Sequence, residues 1–245
     1  MKDNFSTRSD KYAQFRPVYP DALFEYLSGL VPGKETAWDC ATGNGQVAQR
    51  LAGTFQRVYA TDISQQQLDN AIVLPNIEYS LQPAEKTGFA DDSFDLITVA
   101  QAIHWFDFKA FYAEVHRTLK PGGILAVIGY NLPRFTHAID SMINVFYRDV
   151  VGPFWDRERI YIDGHYRTIP FPYADLPAPF FGIDVEWTLD HLLGYLETWS
   201  AVKHYQKQKG EDPVAGLTPR LGSAWGEAKA LSGRFPILLR VARLP

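Results

Sequence analysis

Residues 36–52 read TAWDCATGNGQVAQRLA and contain the pattern that decides the fold. An apolar run leads to Asp39, two glycines follow at Gly43 and Gly45, and the stretch after them has helix-forming residues. A strand, a tight turn and a helix in this order begin a unit of an open parallel sheet. Residues 43–48 also match G-x-G-x-x-A, which is typical of turns that approach the pyrophosphate of a dinucleotide. The pattern alone leaves open whether the turn holds a phosphate or another group.

Asp39 lies four residues before Gly43, at the predicted end of the first strand, so its carboxylate should stand beside the ligand of the turn. Two like charges 4 Å apart repel by about 4 kcal/mol at an effective dielectric constant near 20. A cationic ligand reverses the sign, because a carboxylate accepts a hydrogen bond from an ammonium group. Asp39 therefore favours a cation over a diphosphate.

Asp62 ends the next apolar run, RVYATD, and lies 17 residues after Gly45. An acid at the tip of the second strand suits a ribose, whose two adjacent hydroxyls can donate to one carboxylate. Dinucleotide enzymes use the same arrangement, so Asp62 does not distinguish the ligands. The alternative is a role at the start of the following helix, where Ser64 could be the N-cap.

Apolar runs alternate with helix-period stretches between about residues 20 and 130, which predicts a parallel sheet covered by helices on both faces. We expect Pro121 and the two glycines after it to end the last of these helices. The predicted strands are 37–40, 58–61, 77–79, 94–100 and 124–130. The predicted helices are 21–30, 46–54, 64–71 and 107–119.

The second half of the chain has a weaker pattern. A helical stretch at 136–150 leads into a segment rich in proline and aromatic residues, and this composition predicts an ordered covering loop. We expect two closing strands at 182–187 and 235–244, with helices near 189–209 and 219–231. Arginines are dense in the covering region, and their forks suit carboxylates; they are Arg134, Arg148, Arg157, Arg159 and Arg167.

In chain order, these segments resemble the motifs of the class I S-adenosylmethionine (SAM)-dependent methyltransferases. They are DCATGNGQ (39–46), ATD (60–62), PAEKTGFADDSFDLITVAQAIHW (83–105) and EVHRTLKPGG (114–123). YAQFRPVYP (12–20) and LLGYLETWSAVKHY (192–205) are similar to the type 11 subgroup that contains trans-aconitate methyltransferases.

The resemblance implies an α/β fold: a Rossmann-like, mostly parallel sheet of seven strands in the order 3-2-1-4-5-7-6. The last strand would be antiparallel, with helices on both faces and a helical and aromatic cap. The whole chain, 1–245, would be one domain. Its parts would be an N-terminal cap (1–30), a cofactor-binding core (31–130), a covering insertion (131–180) and closing strands and helices (181–245).

The resemblance also implies the SAM-binding residues. Ile63 would pack on the adenine, the Ala84 N–H would meet a ring nitrogen, and Glu85 or a backbone carbonyl would meet the adenine amino group. The end of the fourth strand would pass under the methionine part. The cofactor residues are then Asp39, Ala41, Gly43, Asn44, Gly45, Asp62, Ile63, Ala84, Glu85, Ala100, Gln101 and Ala102.

Two positions depart from the family pattern. Ala41 replaces the first glycine of D-x-G-x-G-x-G, which is tolerable only where φ is negative or the methyl group finds space. Gln82 and Pro83 stand where the family often has Gly-Asp, so the usual acid next to the adenine is missing.

Residues near the fourth strand and the N-terminus are candidates for chemistry and acceptor binding. Trp105 could wall the sulfonium or the acceptor, or simply pack in the core. His104 is a candidate general base, although a histidine at a strand-to-helix junction more often has a hydrogen-bonding role. By resemblance, Tyr12, Arg16 and Tyr19 would close over the cofactor or the acceptor; with Trp105 and Tyr130 they are the acceptor candidates.

Composition excludes several classes of function. A net charge of −4 makes nucleic acid an unsuitable main partner. The chain shows no signal-peptide pattern and no run of 18 apolar residues, so we expect a cytoplasmic protein without a membrane span. Cys40 is the single cysteine and the six histidines lack ligand spacing, so no metal site is expected.

The sequence therefore predicts SAM-dependent methyl transfer to a small molecule, with the carboxylate of an organic acid as one possible acceptor group. A carboxylate is already ionised at neutral pH and needs no general base. Two alternatives remain open: a catalytically silent SAM-binding regulatory subunit, and an NAD(P)-dependent oxidoreductase.

Overall fold

The computed structural model describes residues 15–245, which contain one mixed sheet of seven strands. Its order is β3-β2-β1-β4-β5-β7-β6, and β7 runs antiparallel to both of its neighbours. The predicted fold and strand order are therefore confirmed. The strands are β1 (Thr36–Cys40), β2 (Arg57–Asp62), β3 (Ile77–Leu81), β4 (Phe94–Ala100), β5 (Leu119–Tyr130), β6 (Gly182–Trp187) and β7 (Leu231–Arg243).

The central strands are apolar on both faces, as the continuous apolar runs predict. Along β4, Leu96 belongs to one core cluster, whereas Ile97 and Val99 belong to a second one. The parallel register places Asp39 beside Ala60 of β2 and Thr98 of β4. The carboxyl ends of β1, β2 and β4 therefore meet at one edge of the sheet, where open parallel sheets bind ligands.

Nine α-helices surround the sheet within residues 15–245. No helix in this range has the length and apolar character needed to cross a bilayer. The helices are α1 (Asp21–Leu30), α2 (Gln46–Ala52), α3 (Gln65–Asp69), α4 (Phe108–Thr118), α5 (His137–Val145), α6 (Arg159–Asp163), α7 (Leu189–Glu197), α8 (Ser200–Lys209) and α9 (Pro213–Trp225).

Two sequence-based helix boundaries were wrong, and the stop signal that was assigned to a third helix lies beyond its end. The helix expected at 189–209 is two helices, because the chain turns out of helical geometry at Trp199 (φ −67°, ψ 137°). The helix expected at 219–231 begins earlier, at Pro213, where Asp212 accepts a hydrogen bond from the Val214 N–H. Helix α4 ends at Thr118, ahead of Pro121, and the following residues already belong to β5.

The start of β5 is irregular. Leu119 pairs with Phe94, and the regular register resumes only at Ile124, with a bulge between. Gly122 has φ 75° inside this bulge, a conformation that glycine adopts readily. The glycines thus bend a strand and do not reverse the chain after a helix.

The expected covering segment is ordered and packs on the sheet. It contains α6, and Asp175 forms an isolated antiparallel bridge with Ala242 of β7. Tyr166 is fully buried from solvent and lies against Gly129 of β5. The segment is therefore a fixed wall of the molecule over the end of the sheet.

Candidate functional site

The turn after β1 uses three left-handed residues. Ala41, Gly43 and Gly45 have φ of 55°, 59° and 84°. Gly45 leaves no room for a side chain, because a Cβ atom there would collide with the Tyr79 hydroxyl. Above Gly43 the space is open, since a Cβ atom would meet only Gln67, at 3.9 Å. Ala41 has a positive φ despite its methyl group, so the expected alternative of a negative φ at this position is wrong.

Asp39 is the buried acid of the turn. Its Oδ1 accepts a hydrogen bond from the Thr98 hydroxyl at 2.9 Å, and its Oδ2 accepts from the Ala48 N–H at 3.0 Å and from the Thr42 hydroxyl. Burial raises the pKa of Asp39 to about 6; the three hydrogen bonds oppose the shift and the nearby charge of Asp62 adds to it.

Asp62 ties the end of β2 to the same turn. Its Oδ2 accepts from the Gly43 N–H at 2.9 Å, and its Oδ1 accepts from the Ser64 N–H at 2.9 Å. Ser64 is the N-cap of α3, and its hydroxyl accepts from the Gln67 N–H.

These contacts indicate which charge a ligand of the turn should carry. Carboxylates already accept from the backbone N–H groups of Gly43 and Ala48, and the Gly45 N–H donates to the Thr42 carbonyl. A pyrophosphate would compete with two acids for the same donors. The geometry therefore disfavours a diphosphate and suits a ligand with cationic and hydroxyl donors.

A cavity opens above this turn, with about 530 Å³ of empty space including its mouth. We call it the glycine-turn cavity. Six predicted cofactor residues line it: Asp39, Ala41, Gly43, Asn44, Ala100 and Gln101. Three acceptor candidates, Arg16, Tyr19 and Tyr130, line it too, together with four residues that the sequence reasoning missed: Pro17, Thr42, Gln46 and Val47.

The other predicted cofactor residues do not line the cavity. Gly45 packs against Tyr79, and Asp62 binds the turn from behind. Glu85 Oε1 accepts from the Asp107 N–H at 3.1 Å, at the start of α4. Ala84 and Ala102 are buried, and Ile63 is half-buried. Tyr12 lies outside the described residues.

A second cavity, with about 500 Å³ of empty space including its mouth, adjoins the first. We call it the tryptophan cavity. Arg16 and Gln101 line both cavities and form their common wall. The other lining residues are His104, Trp105, Trp155, Asp156, Arg159, Ile162, Trp199 and Ser200. Trp155, Asp156 and Arg159 come from the covering segment, which the sequence marked only as rich in arginine and aromatic residues.

His104 is a buried and neutral member of this cavity. Burial, together with the charge of Arg159, lowers the pKa of His104 to about 3. Its Nδ1 lies 3.2 Å from the Tyr166 hydroxyl, which lies 3.5 Å from Gln101 Oε1. A histidine with so low a pKa is a weak base, so hydrogen bonding suits His104 better than proton abstraction.

Arg16 joins the N-terminal side of the chain to the site. Its guanidinium donates to the Tyr130 hydroxyl at 3.0 Å and to the Thr198 carbonyl at 3.4 Å, and lies 5.4 Å from the Tyr195 ring centre. Gln101, opposite, has φ 54° and donates to the Tyr130 carbonyl at 3.1 Å. Strained backbone of this kind is concentrated at functional sites.

Comparison with known proteins assigns the family. The profile described as "Methyltransferase domain" matches residues 38–127. A Dictyostelium discoideum protein named as a methyltransferase is 31% identical over 249 residues, covering 98% of this chain and 95% of its own. The solved structure of a protein described as a type II methyltransferase from Anaeromyxobacter dehalogenans is 40% identical, with a TM-score of 0.88 over 94% of this chain and 99% of that one.

The chain belongs to the class I SAM-dependent methyltransferases. A phosphoethanolamine N-methyltransferase from Haemonchus contortus shares the fold, with a TM-score of 0.50 at 18% identity over 98% of this chain and 57% of that one. Within residues 15–245, no group of three or more His, Cys, Asp or Glu side chains is placed to hold a metal ion. As a methyltransferase, the chain has its glycine turn and its two joined cavities at the edge of the sheet where this fold binds ligands.

Proposed function

We propose that this methyltransferase binds SAM in the glycine-turn cavity and methylates the carboxylate of a small organic acid in the tryptophan cavity. The observation that carries the proposal is the common wall of the two cavities, formed by Arg16 and Gln101. Methyl transfer requires that donor and acceptor meet in line at close contact, and two cavities that share wall residues are consistent with this requirement.

The residues of the glycine-turn cavity fit SAM. Asp39 offers a buried carboxylate to the ammonium group, and Asp62, which binds the N–H of the lining residue Gly43, offers its carboxylate to the ribose hydroxyls. The open space above Gly43 allows close approach to the backbone. The solved Haemonchus contortus enzyme, which shares this fold, holds S-adenosylhomocysteine, the demethylated product.

When bound, SAM supplies a methyl group on a sulfonium: a lone pair of the acceptor oxygen forms the new bond to carbon, the carbon–sulfur pair stays on sulfur, and a methyl ester and S-adenosylhomocysteine result. No proton is released, because the carboxylate is ionised beforehand. Arg16 and Arg159 supply positive charge for this acceptor, and Gln101 positions the cavity wall. The low pKa of His104 agrees with a reaction that needs no base.

The alternatives are less consistent with the site. A silent SAM-binding subunit would not need an acceptor cavity, yet the tryptophan cavity opens directly beside the cofactor residues. An NAD(P)-dependent oxidoreductase conflicts with the methyltransferase family and with the acids that occupy the turn.

The test is a turnover screen with methyl-labelled SAM and equal panels of small carboxylic acids, phenols and amines. We expect label in base-labile methyl esters of one or more acids. Transfer confined to neutral acceptors would refute the carboxylate part of the proposal. Tight SAM binding without transfer to any acceptor would instead favour the silent subunit.

A further inference from the structure

Three neighbouring side chains hold Arg159 in place, and its two Nη groups remain available to a ligand. Its Nε donates to the Tyr147 hydroxyl at 2.7 Å and lies 3.6 Å from Asp163 Oδ1. Its guanidinium stacks 4.5 Å from the centre of the Trp155 ring. Among residues 15–245, neither Nη group of Arg159 has a hydrogen-bond partner. The side chain is only 19% exposed and lines the tryptophan cavity, so its fork is preorganised for a planar anion.

The charged residues that line the tryptophan cavity suit an acceptor with one negative charge. Arg16 and Arg159 contribute two positive charges, and Asp156 contributes one negative charge. His104 is neutral, because burial and Arg159 lower its pKa to about 3. Counted over the lining residues alone, the net charge is +1; Asp163, whose carboxylate lies 3.6 Å from Arg159 Nε, is outside the lining. A second carboxylate on the acceptor would share the cavity with Asp156, whose side chain is 14% exposed.

The walls of the cavity suit a flat apolar body. Trp155 and Trp199 have ring centres 5.5 Å apart at 47°, and Trp105 packs 4.9 Å from His104. Indole rings present large rigid faces that favour aromatic or conjugated partners.

We propose that the acceptor is a flat aromatic or conjugated monocarboxylic acid, held through its carboxylate by the Nη groups of Arg159 and through its body by the tryptophans. This proposal rests on the proposed function and narrows its substrate class. A two-point grip by the fork occupies one lone pair on each carboxylate oxygen and leaves another free for the methyl group. Arg159 is then the residue that determines acceptor specificity.

Binding and turnover of benzoate and cinnamate test the proposal, with cinnamamide and the flat dicarboxylate terephthalate as comparisons. Calorimetry measures binding with and without S-adenosylhomocysteine, and ester formation gives kcat and KM. We expect the monocarboxylates to bind at least tenfold more tightly than either comparison compound. Failure of both monocarboxylates to bind, or a preference for terephthalate, overturns the proposal.

Three variants test whether Arg159 binds the carboxylate of the acceptor. Arg159→Gln should raise KM for cinnamate at least tenfold with SAM affinity unchanged, since charge-assisted hydrogen bonds to the carboxylate are lost. Arg159→Lys should recover part of the loss, because it keeps the charge without the fork. Arg157→Gln is the matched control: Arg157 is an exposed neighbour outside the cavity, and its loss should leave KM within twofold.

The two proposals fail in different ways. If SAM and S-adenosylhomocysteine do not bind, the proposed function is wrong, and acid binding without them still reports on the tryptophan cavity. If SAM binds and acids are methylated but Arg159→Gln keeps the wild-type KM, only the assignment of Arg159 and the acceptor class is wrong. A circular dichroism melt of Arg159→Gln and Arg159→Lys separates lost contacts from lost folding.

Discussion

The methyl group of Ala41 causes backbone strain in the glycine turn. Its φ of 55° lies in the left-handed region, where a non-glycine residue is disfavoured by about 1–2 kcal/mol. The sequence indicated that Ala41 replaces a family glycine, but it could not give the sign of φ. The chain keeps a left-handed backbone at Ala41 and carries the strain.

Replacing Ala41 by glycine should relieve this strain. The gain is partly offset because glycine has about 0.4–1 kcal/mol more chain entropy to lose on folding. We expect Ala41→Gly to raise the free energy of unfolding by about 0.5 kcal/mol, measured by urea denaturation.

Ala113→Gly is the control, because Ala113 is an exposed residue inside α4 where glycine should cost about 0.5–1 kcal/mol. Equal destabilisation by the two changes would show that Ala41 is unstrained.

Ionisation of the buried Asp39 carboxyl group lowers the stability of the folded protein at the same turn. Burial raises its pKa from 3.8 to about 6, so the folded protein holds this proton more tightly than the unfolded chain. The stability that Asp39 contributes is therefore present below about pH 4 and is lost as the pH rises to about 6. A cationic ligand group beside the carboxylate reverses this cost, which links the ionisation of Asp39 to ligand binding.

At the scale of elements, β5 and the covering segment are locked through one glycine. Gly129 faces Tyr166, and a Cβ atom at Gly129 would lie 2.5 Å from Tyr166 Cε2. Tyr166 has φ 57°, and its hydroxyl lies 3.2 Å from His104 Nδ1. The position of the covering segment, and hence of one wall of the tryptophan cavity, depends on this close approach.

Gly129→Ala should therefore destabilise the protein by about 1–3 kcal/mol, because the added methyl overpacks against Tyr166. Urea denaturation measures the change. The double variant Gly129→Ala/Tyr166→Leu should lose less than the sum of the single changes.

Gly216→Ala provides the comparison, since a Cβ atom at Gly216 in α9 meets nothing within 4 Å. We expect it to be neutral or stabilising. If Gly129→Ala is equally harmless, Gly129 does not fix the covering segment.

The elements that the sequence predicted well are those governed by local patterns. Strand β4 has the predicted bounds, and Ser64 is the N-cap of α3. The break between α7 and α8 was missed because residues 189–209 keep a helical pattern across it. There, Trp199 packs against Trp155 and Tyr195, a tertiary contact that local periodicity does not encode.

At the scale of the whole molecule, the two cavities differ in how far the sequence predicts them. The glycine-turn cavity is built from strand ends within a recurring unit, so its main residues follow from local motifs. The tryptophan cavity draws Arg16, Trp105, Trp155, Arg159 and Trp199 from positions far apart in the chain. Only the fold brings these side chains together, so the residue types are visible in the sequence but their proximity is not.

The charged groups at this edge of the sheet change in sign from the glycine turn to Arg159. Two carboxylates hold the backbone of the glycine turn, Arg16 lies in the wall that the two cavities share, and Arg159 lines only the tryptophan cavity of the two. The turn is then suited to a cationic methyl donor, and the Arg159 side of the tryptophan cavity to an anionic acceptor. Carboxylates at the turn and an arginine beyond the shared wall are consistent with binding two oppositely charged reactants side by side.

Calorimetry with SAM and NADH on the wild-type protein and on Asp39→Asn tests this claim most directly. We predict that SAM binds the wild type, that NADH does not, and that Asp39→Asn weakens SAM at least tenfold, which is about 1.4 kcal/mol. Asp69→Asn, an exposed change on α3, should leave SAM affinity within twofold. Tight NADH binding to the wild type, with SAM affinity unaltered in Asp39→Asn, would contradict the account.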